Sequence, residues 1–403
     1  MRPIAYFEHV KKSGHVLDIW NAISNDFPLV HLSNYKSPKD FDKQPSGKDY
    51  VAARLAKSLR DEQIKRRYGA RGSVRASIRS VWENHKPSRT TDVYARRICF
   101  LRHCLLNSGA DLSAAWCPLK YPRMLFRLAA SQIRMPLLHL EDAPFPGYFV
   151  ADARGINMGN SASRDWRDYP VPHSGADESM QLLRESILQR AAESKKTASR
   201  MKVRSRHTPS ENFIYCPLQV DEDTQLLNYG GWASTVSNCI KIMYDASRFL
   251  PANWSLVIRE HPSSKISYTS QLLKLSDDKF ILDNTGNSLD LVERSRAIVT
   301  INSSVGLHGF LFGKEVVTLG RAMWCFGDMA TEALCPIHLS ELFGDPESWR
   351  HSASQRKGFL HHLLHSEFMP LPTGSPHSKK LGSRAQEILS RKITEAKDLT
   401  SSA

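Results

Sequence analysis

The chain has 403 residues, of which 41% are hydrophobic and 24% are charged, and its formal net charge is +14. These values are typical of a globular protein large enough for two α/β domains. No apolar run reaches the ~20 residues of a membrane-spanning helix, no signal peptide is recognisable, and the seven cysteines form no CxxC pair, so we predict a soluble cytoplasmic protein with reduced thiols.

The first half begins with a βαβ pattern and then becomes basic. Ile4–Phe7 predicts a strand, His15–Ile23 a helix and Phe27–Leu32 the next strand. Residues from about 50 to 110 read as mostly helical, and much of the positive excess lies between Arg54 and Arg102. Such a segment can meet nucleic acid, anionic lipid headgroups or an acidic polymer, or it can be a solvated helix face. No nucleic-acid-binding signature accompanies it, so nucleic acid is not expected as a partner.

A polar, basic stretch separates the two halves of the chain. Before it, Pro136–Leu140 predicts a buried strand that ends in Glu141 and Asp142, and Glu178–Ala192 predicts a helix. We place the domain boundary in Lys195–His207, where the apolar periodicity stops. The predicted organisation is a first domain of residues 1–205 with a basic helical insertion, a second domain of residues 206–380, and a closing helix and tail of residues 381–403.

The second half alternates short apolar runs with helical segments. The predicted strands are Asn212–Leu218, Trp254–Glu260, Phe280–Leu282, Ala297–Thr300 and Val316–Leu319, and the helices between them include Ala233–Phe249, Ser267–Leu275 and Ser288–Arg294. This alternation predicts a parallel sheet covered on both faces, with ligands beyond the carboxyl ends of its strands. The predicted fold class is therefore α/β of the GT-B type, in which two Rossmann-like domains face each other across a cleft.

Two of the polar motifs at predicted strand ends suit an anionic ligand. The loop Thr300–Gly306 offers free backbone N–H groups, two hydroxyls and the positive end of a helix to a group such as phosphate, although a plain helix cap explains it about as well. In Glu260-His261-Pro262, the histidine can donate to a phosphate or a ribose, but a His-Pro pair at a strand end is more often a turn.

The other two motifs are acidic. Asp221, Glu222 and Asp223 crowd one strand-to-loop junction, where a carboxylate can attack a sugar's anomeric carbon or take a proton from an acceptor hydroxyl. A solvated turn with a helix N-cap is the interpretation that these acids alone favour. Glu141 and Asp142 form an acidic pair at a strand end, or a surface loop. No P-loop, Rossmann fingerprint, nucleophile elbow or metal-ligand spacing is present.

Taken together in their order along the chain, the four motifs resemble the capsule polysaccharide synthesis proteins that act as β-Kdo transferases. Kdo is the acidic eight-carbon sugar 3-deoxy-manno-octulosonate. The resemblance runs from about Trp116 to Trp324 and is carried by Leu140–Asp142, Asp152–Ile156, Pro217–Gln225, His261-Pro262 and Thr300–Gly306, with Gly313-Lys314 and Thr318–Gly320. It implies a retaining glycosyltransferase that uses CMP-Kdo or a related CMP-ulosonate and needs neither a cofactor nor a metal.

The resemblance also implies a role for each site residue. Asp223 matches the catalytic aspartate, with Glu141 as an acid/base candidate that Asp142 positions. The residues assigned to the nucleotide sugar are His261 and Pro262 at the CMP part, Ser303, Ser304 and Gly306 at the donor phosphate, and Gln219. The implied partners are a nucleotide-sugar donor bound by the second domain, a lipid or oligosaccharide acceptor, an anionic inner-membrane surface met by the basic segment, and capsule assembly proteins.

The chain departs from the family pattern at Ala143–Gly147 and Arg321–Asp328, so the sugar and the acceptor stay open. Two alternatives also stay open. One is a polyol-phosphate transferase of the teichoic-acid type, which uses a CDP-alcohol. The other is a non-catalytic polysaccharide-binding or export component that keeps the fold.

Overall fold

The computed structural model describes residues 2–7, 14–32, 41, 43–68, 89–171, 175–193, 203–285, 287–374 and 379–401. The chain divides into two compact units. Unit 1 contains the described parts of Met1–Lys65, Gly69–Ser161 and Leu364–Ala403, and unit 2 contains those of Ala162–Leu363 with Arg66–Tyr68.

Unit 1 is a six-stranded mixed sheet with helices. Its elements are β1 (Ile4–Phe7), α1 (Gly14–Asp26), β2 (Leu29–His31), α2 (Gly47–Tyr68), α3 (Arg89–Asn107), β3 (Leu112–Trp116), α4 (Arg123–Gln132), β4 (Leu137–Asp142) and β5 (Tyr148–Asp152), with β12 (Met369–Pro370) and α13 (Ser383–Ser401) from the C-terminal end. The strand order is β12-β5-β4-β3-β1-β2, in which β1 to β4 run parallel and β5 and β12 pair antiparallel. All five residues of β3 are buried, as expected for a central parallel strand.

Unit 2 is built around a six-stranded, wholly parallel sheet. Its elements are α5 (Ala176–Glu193), β6 (Asn212–Pro217), α6 (Thr224–Tyr229), α7 (Val236–Ser247), β7 (Trp254–Arg259), α8 (Thr269–Leu275), β8 (Phe280–Leu282), α9 (Ser288–Arg294), β9 (Ala297–Thr300), α10 (Val305–Leu311), β10 (Glu315–Thr318), β11 (Thr331–Glu332), α11 (Pro336–Gly344) and α12 (Ala353–His362). The order β8-β7-β6-β9-β10-β11 is that of a Rossmann sheet. Every residue of β7, β8 and β9 is buried, which explains their continuous apolar runs.

The predicted α/β class with two Rossmann-like sheets, as in the GT-B type, is confirmed for each unit by itself. The domain limits differ from the prediction, because the unit boundary lies at Ser161 and residues from Leu364 onward belong to unit 1. Residues after 161 belong to unit 2 because α5 packs against α12 and Arg184 pairs with Glu293 at 3.1 Å. Residues 195–202 of the predicted boundary stretch lie outside the described residues.

The basic segment around α2 and α3 is described in part. Residues 69–88, which include Arg71–Arg75, lie outside the described residues, as do the side chains of Lys65–Arg67. Three described cations of the segment pair with acids of the same unit: Arg102–Asp49 at 3.0 Å, Arg96–Asp92 at 3.0 Å and Lys57–Asp61 at 3.3 Å. Its docking on an anionic surface stays a prediction. In the described part of the chain, no helix combines the length and apolar character that a bilayer crossing requires.

Candidate functional site

The candidate site is the carboxyl edge of the sheet in unit 2. There, β6 and β9 are neighbours although β7 and β8 lie between them in sequence, so the chain reverses its direction across the sheet at this point. Loops that follow the strands at such a switch point diverge and leave room for a ligand. The predicted motifs follow β6 (Asp221–Asp223), β7 (His261-Pro262) and β9 (Ser303–Gly306). Because neighbouring strands are ~4.8 Å apart, the ends of β7 and β9 are about 10 Å apart.

Asp223 is the N-cap of α6. Its Oδ1 accepts a hydrogen bond from the backbone N–H of Gln225 at 2.9 Å, and its side chain is partly exposed. Among the described residues, no donor lies within hydrogen-bond distance of Oδ2. The cap that the acidic cluster suggested is therefore present, and it orients the carboxylate through one oxygen. The catalytic role of Asp223 stays a prediction.

The three neighbouring acids have different environments. Asp221 is buried and accepts the phenolic O–H of Tyr268 at 2.8 Å, whereas Glu222 and Asp223 are partly exposed. Burial, together with the Asp221 carboxylate, raises the pKa of Tyr268, so the phenol stays a neutral donor at ordinary pH. Within the described residues, no group of three His, Cys, Asp or Glu side chains is arranged to hold a metal ion.

His261 lies in a turn whose hydrogen bonds set its tautomer. The backbone N–H of Ser263 donates to His261 Nδ1 at 3.1 Å, and the N–H of Ser264 donates to the carbonyl of His261 at 3.0 Å. The neutral ring therefore carries its proton on Nε2. The turn that the His-Pro pair suggested is therefore present. Donation by His261 to a phosphate or a ribose stays a prediction, for which Nε2–H is the donor. Pro262 follows as an exposed residue of the same turn.

The loop that leads into α10 differs from its prediction as a source of free backbone N–H groups. Ser303 N donates to Thr300 Oγ1 at 3.3 Å, Val305 N donates to Ser303 Oγ at 3.3 Å, and Gly306 N donates to the Ser303 carbonyl at 3.0 Å. These N–H groups are used inside the loop because it turns tightly between strand and helix. The polar groups that remain for a ligand are the hydroxyls of Ser303 and Ser304, which are both partly exposed, and the N–H of Ser304, which has no acceptor among the described residues.

Gly306 is required for packing. A Cβ placed on it would lie 2.1 Å from two ring atoms of Trp324, so only glycine lets this indole lie against α10. Trp324 is buried and also contacts Phe310 edge to face, at 5.5 Å between ring centroids. The predicted phosphate contact of Gly306 stays a prediction, but this side of the residue is covered by the indole. Trp324 belongs to Arg321–Asp328, the segment that departs from the family pattern.

Gln219 forms hydrogen bonds with the loop after β9, and its role in nucleotide-sugar binding stays a prediction. Its Nε2 donates to Asn302 Oδ1 at 2.9 Å, and the backbone N–H of Asn302 donates to its Oε1 at 3.1 Å. The Nδ2 of Asn302 donates to the carbonyls of Gln225 at 3.0 Å and Arg321 at 3.4 Å. Asn302 therefore joins the loops after β6, β9 and β10. This connecting role of Asn302 was not predicted. The signal in the sequence was an amide between a buried strand and two serines.

Glu141 and Asp142 lie at the end of β4 in unit 1 and have separate partners. Asn157 Nδ2 donates to Glu141 Oε2 at 3.2 Å, and His15 Nε2 lies 2.9 Å from Asp142 Oδ1. Glu141 is thus contacted by Asn157, and its positioning by Asp142 stays a prediction. His15 and Asn157 were not singled out from the sequence, since each is distant along the chain from the acid that it contacts.

The Asp152–Ile156 motif is structural. The buried Asp152 carboxylate accepts hydrogen bonds from the backbone N–H of Arg154 at 2.8 Å, that of Gly155 at 3.0 Å and the hydroxyl of Ser161 at 2.6 Å. Lys392 of α13 lies 3.8 Å from the same carboxylate and 2.9 Å from Glu367. This buried cluster holds the C-terminal helix on unit 1.

Comparison with known proteins agrees with the motif order. Residues 133–333 match the family model described as capsule polysaccharide biosynthesis protein. Protein FixF of Sinorhizobium fredii (strain NBRC 101917 / NGR234) is 30% identical over 209 residues, which are 52% of this chain and 48% of FixF. Capsule polysaccharide export protein KpsS of Escherichia coli is 25% identical over 121 residues, which are 28% of this chain and 31% of KpsS. The matches thus span less than half the length of these curated relatives.

Among solved structures, the beta Kdo 2,7 transferase of Thermosulfurimonas dismutans KpsC is similar with a TM-score of 0.41 and 17% identity, over 74% of this chain and 89% of that one. The assignment to a family rests on the sequence matches, because the matched region contains the acidic pair at the end of β4 and the motifs after β6, β7 and β9. Through residues 133–333, the chain belongs to the capsule polysaccharide biosynthesis protein family.

Proposed function

We propose that this chain is a glycosyltransferase of capsular polysaccharide biosynthesis that transfers Kdo or a related ulosonic acid from a CMP-linked donor to a lipid or oligosaccharide acceptor. The observation that carries the proposal is the switch point of unit 2, where Asp223, His261 and the serine pair Ser303-Ser304 follow three strands of one parallel sheet. Family membership supports the polysaccharide product, and the motif resemblance supports the CMP-sugar donor.

The donor phosphate is held by side-chain donors. The Nε2–H of His261 and the hydroxyls of Ser303 and Ser304 donate to its oxygens, since the backbone N–H groups of Ser303, Val305 and Gly306 are already used within the serine loop. The leaving CMP is a phosphate monoester with a second pKa of about 6, so it departs near neutral pH without needing a proton. Oriented donors stabilise the charge that grows on it, and the reaction needs no cofactor.

Asp223 is the nucleophile. One oxygen of its carboxylate attacks the anomeric carbon while the bond from that carbon to the phosphate oxygen breaks, and the electron pair leaves with CMP. The acceptor hydroxyl then attacks the same carbon, its proton goes to water, and the bond to Asp223 breaks, which restores the carboxylate. The acid/base role of Glu141 stays a prediction. Two successive inversions retain the anomeric configuration. The hydrogen bond from Gln225 to Oδ1 holds the side chain so that Oδ2 is the attacking atom.

Nucleotide binding is the first test. Thermal unfolding is followed with CMP, CDP, UMP and UDP at equal concentrations, because a ligand that binds only the folded state raises the melting temperature. We expect CMP to give the largest rise. A rise with UDP alone would overturn the CMP-sugar donor, and a rise with CDP alone would favour the polyol-phosphate alternative.

Loss of the nucleophile is the second test. Asp223→Asn is expected to lower turnover of CMP-Kdo by at least about 10³-fold, with little change in melting temperature. Glu222→Gln is the matched control, since it removes one charge from the adjacent residue and should keep turnover. Intact-protein mass spectrometry should detect a donor-derived adduct on the wild-type chain and none on Asp223→Asn. Full turnover by Asp223→Asn would exclude Asp223 as nucleophile, and absence of turnover in the wild type would favour a non-catalytic component.

A further inference from the structure

Three side-chain pairs connect the loops at the carboxyl edge of the sheet in unit 2. Asn302 and Gln219 join the loops after β9 and β6, with N···O distances of 2.9 and 3.1 Å. Asp221 and Tyr268 join the loops after β6 and β7 at 2.8 Å. Glu260 and Asn284 join the loops after β7 and β8, with distances of 2.7 and 2.9 Å. We call these three pairs the edge brace.

The edge brace is interleaved in sequence with the residues proposed to act on the donor. Glu260 directly precedes His261, Asn302 directly precedes Ser303, and Asp221 lies two residues before Asp223. The brace residues are buried except for the partly exposed Tyr268, whereas His261, Ser303 and Asp223 are partly exposed. At each strand end, a buried side chain anchors the loop beside one that is accessible to a ligand.

Tyr268 differs from the other residues of the edge brace because it forms hydrogen bonds both within the loop that contains His261 and to the loop that contains Asp223. Its backbone N–H donates to Glu260 Oε1 at 2.6 Å, which closes the loop that contains His261. Its phenolic O–H donates to Asp221 Oδ1, which ties that loop to the one that contains Asp223. Between these points, Pro262, Ser263 and Lys265 are exposed, so the tip of the loop gains little stability from packing.

We propose that Tyr268 is a positioning residue, whose hydrogen bond to Asp221 sets where His261 lies relative to Asp223. The inference rests on the proposed function in one respect, namely that the ligand bound by His261 is the CMP part of the donor. The placement of the loop by Tyr268 is a property of the ligand-free protein and can be measured without a donor.

The test compares Tyr268→Phe with Tyr215→Phe. Tyr215 is the matched control, since its buried hydroxyl is 2.7 Å from Ser288 Oγ in the same unit and lies outside the loop that contains His261. Both variants lose one tyrosine hydrogen bond, so both should unfold at a slightly lower temperature. Only Tyr268→Phe should speed backbone hydrogen exchange in residues 263–269 and shift the imidazole resonances of His261. It should also weaken CMP binding about tenfold, the factor that corresponds to ~1.4 kcal/mol.

A double-mutant cycle isolates the hydrogen bond itself. Asp221→Ala should weaken CMP binding as Tyr268→Phe does, and the double variant should be no worse than either single variant. Asp221→Asn keeps an oxygen acceptor for the phenol and should bind CMP within about twofold of the wild type. Unchanged exchange and resonances in Tyr268→Phe, or equal effects of Tyr215→Phe, would overturn the inference. If the wild type binds no cytidine nucleotide, the CMP-donor assignment fails, and the exchange and resonance comparison still decides the role of Tyr268.

Discussion

Asp152 in unit 1 and Asp223 in unit 2 both lie in motifs that resemble one family, yet their surroundings are opposite. Asp152 is 4% exposed and accepts hydrogen bonds from three backbone N–H groups and from the hydroxyl of Ser161, with a buried lysine beside it. Asp223 is partly exposed and accepts one hydrogen bond. Motif resemblance alone therefore does not distinguish a structural carboxylate from a candidate nucleophile. The number of donors around each carboxylate separates them.

The largest expected effect is on the stability of unit 1, in the cluster around Asp152. Lys392→Met removes the cation shared by Asp152, Glu367 and Glu395 and leaves the buried Asp152 carboxylate without it, so we expect a loss of about 3–5 kcal/mol in the free energy of unfolding. Lys397→Met on the same helix is the control. Its pair with Asp111 is partly exposed, so its loss should cost less than about 1 kcal/mol. Equal effects in urea denaturation would show that the Asp152 cluster does not stabilise unit 1 as inferred.

The next effect is a pH dependence beside Asp152. His139 Nδ1 lies 3.3 Å from the Asp152 carbonyl, and burial lowers the pKa of His139 from 6.5 to about 4. Between these values the unfolded chain binds a proton that the folded chain does not, so stability falls as the pH falls through this window. The expected loss is about 2–3 kcal/mol by pH 4. Urea denaturation at several pH values gives the free energy of unfolding as a function of pH. This curve should be less steep for His139→Gln than for the wild type, and identical curves would contradict the assignment to His139.

The smallest effect lies on the Asp223 side, in the serine loop after β9. Gly306→Ala places a methyl group against the ring of Trp324 and should destabilise unit 2 by about 1–3 kcal/mol. Gly344→Ala is the control, since no atom lies within 4 Å of the added Cβ. Adding Trp324→Leu to Gly306→Ala should recover part of the lost melting temperature. If Gly306→Ala instead keeps its stability and loses CMP affinity, the absence of a side chain at Gly306 is needed for phosphate contact rather than for packing against the Trp324 indole.

Much of unit 2 could be predicted because its elements are local patterns. The predicted strand Asn212–Leu218 corresponds to β6 (Asn212–Pro217), and the predicted helix Ser288–Arg294 corresponds to α9. In unit 1, β3 and β5 were not predicted. The centre of β3 is Ser-Ala-Ala, which lacks the β-branched residues that mark a strand, and β5 is held by antiparallel pairing with β4.

The α/β class and the polar motifs at the ends of apolar strands could be predicted without the structure, because strand periodicity and strand-ending residues are local properties. Tertiary structure decided what each motif does. Gln219 pairs with Asn302, 83 residues further along the chain, and Lys392 reaches Ser161 across 231 residues. Such partners are brought together only when separate strands and helices pack into one sheet and its cover. The same packing seals Asp152 and leaves Asp223 partly exposed.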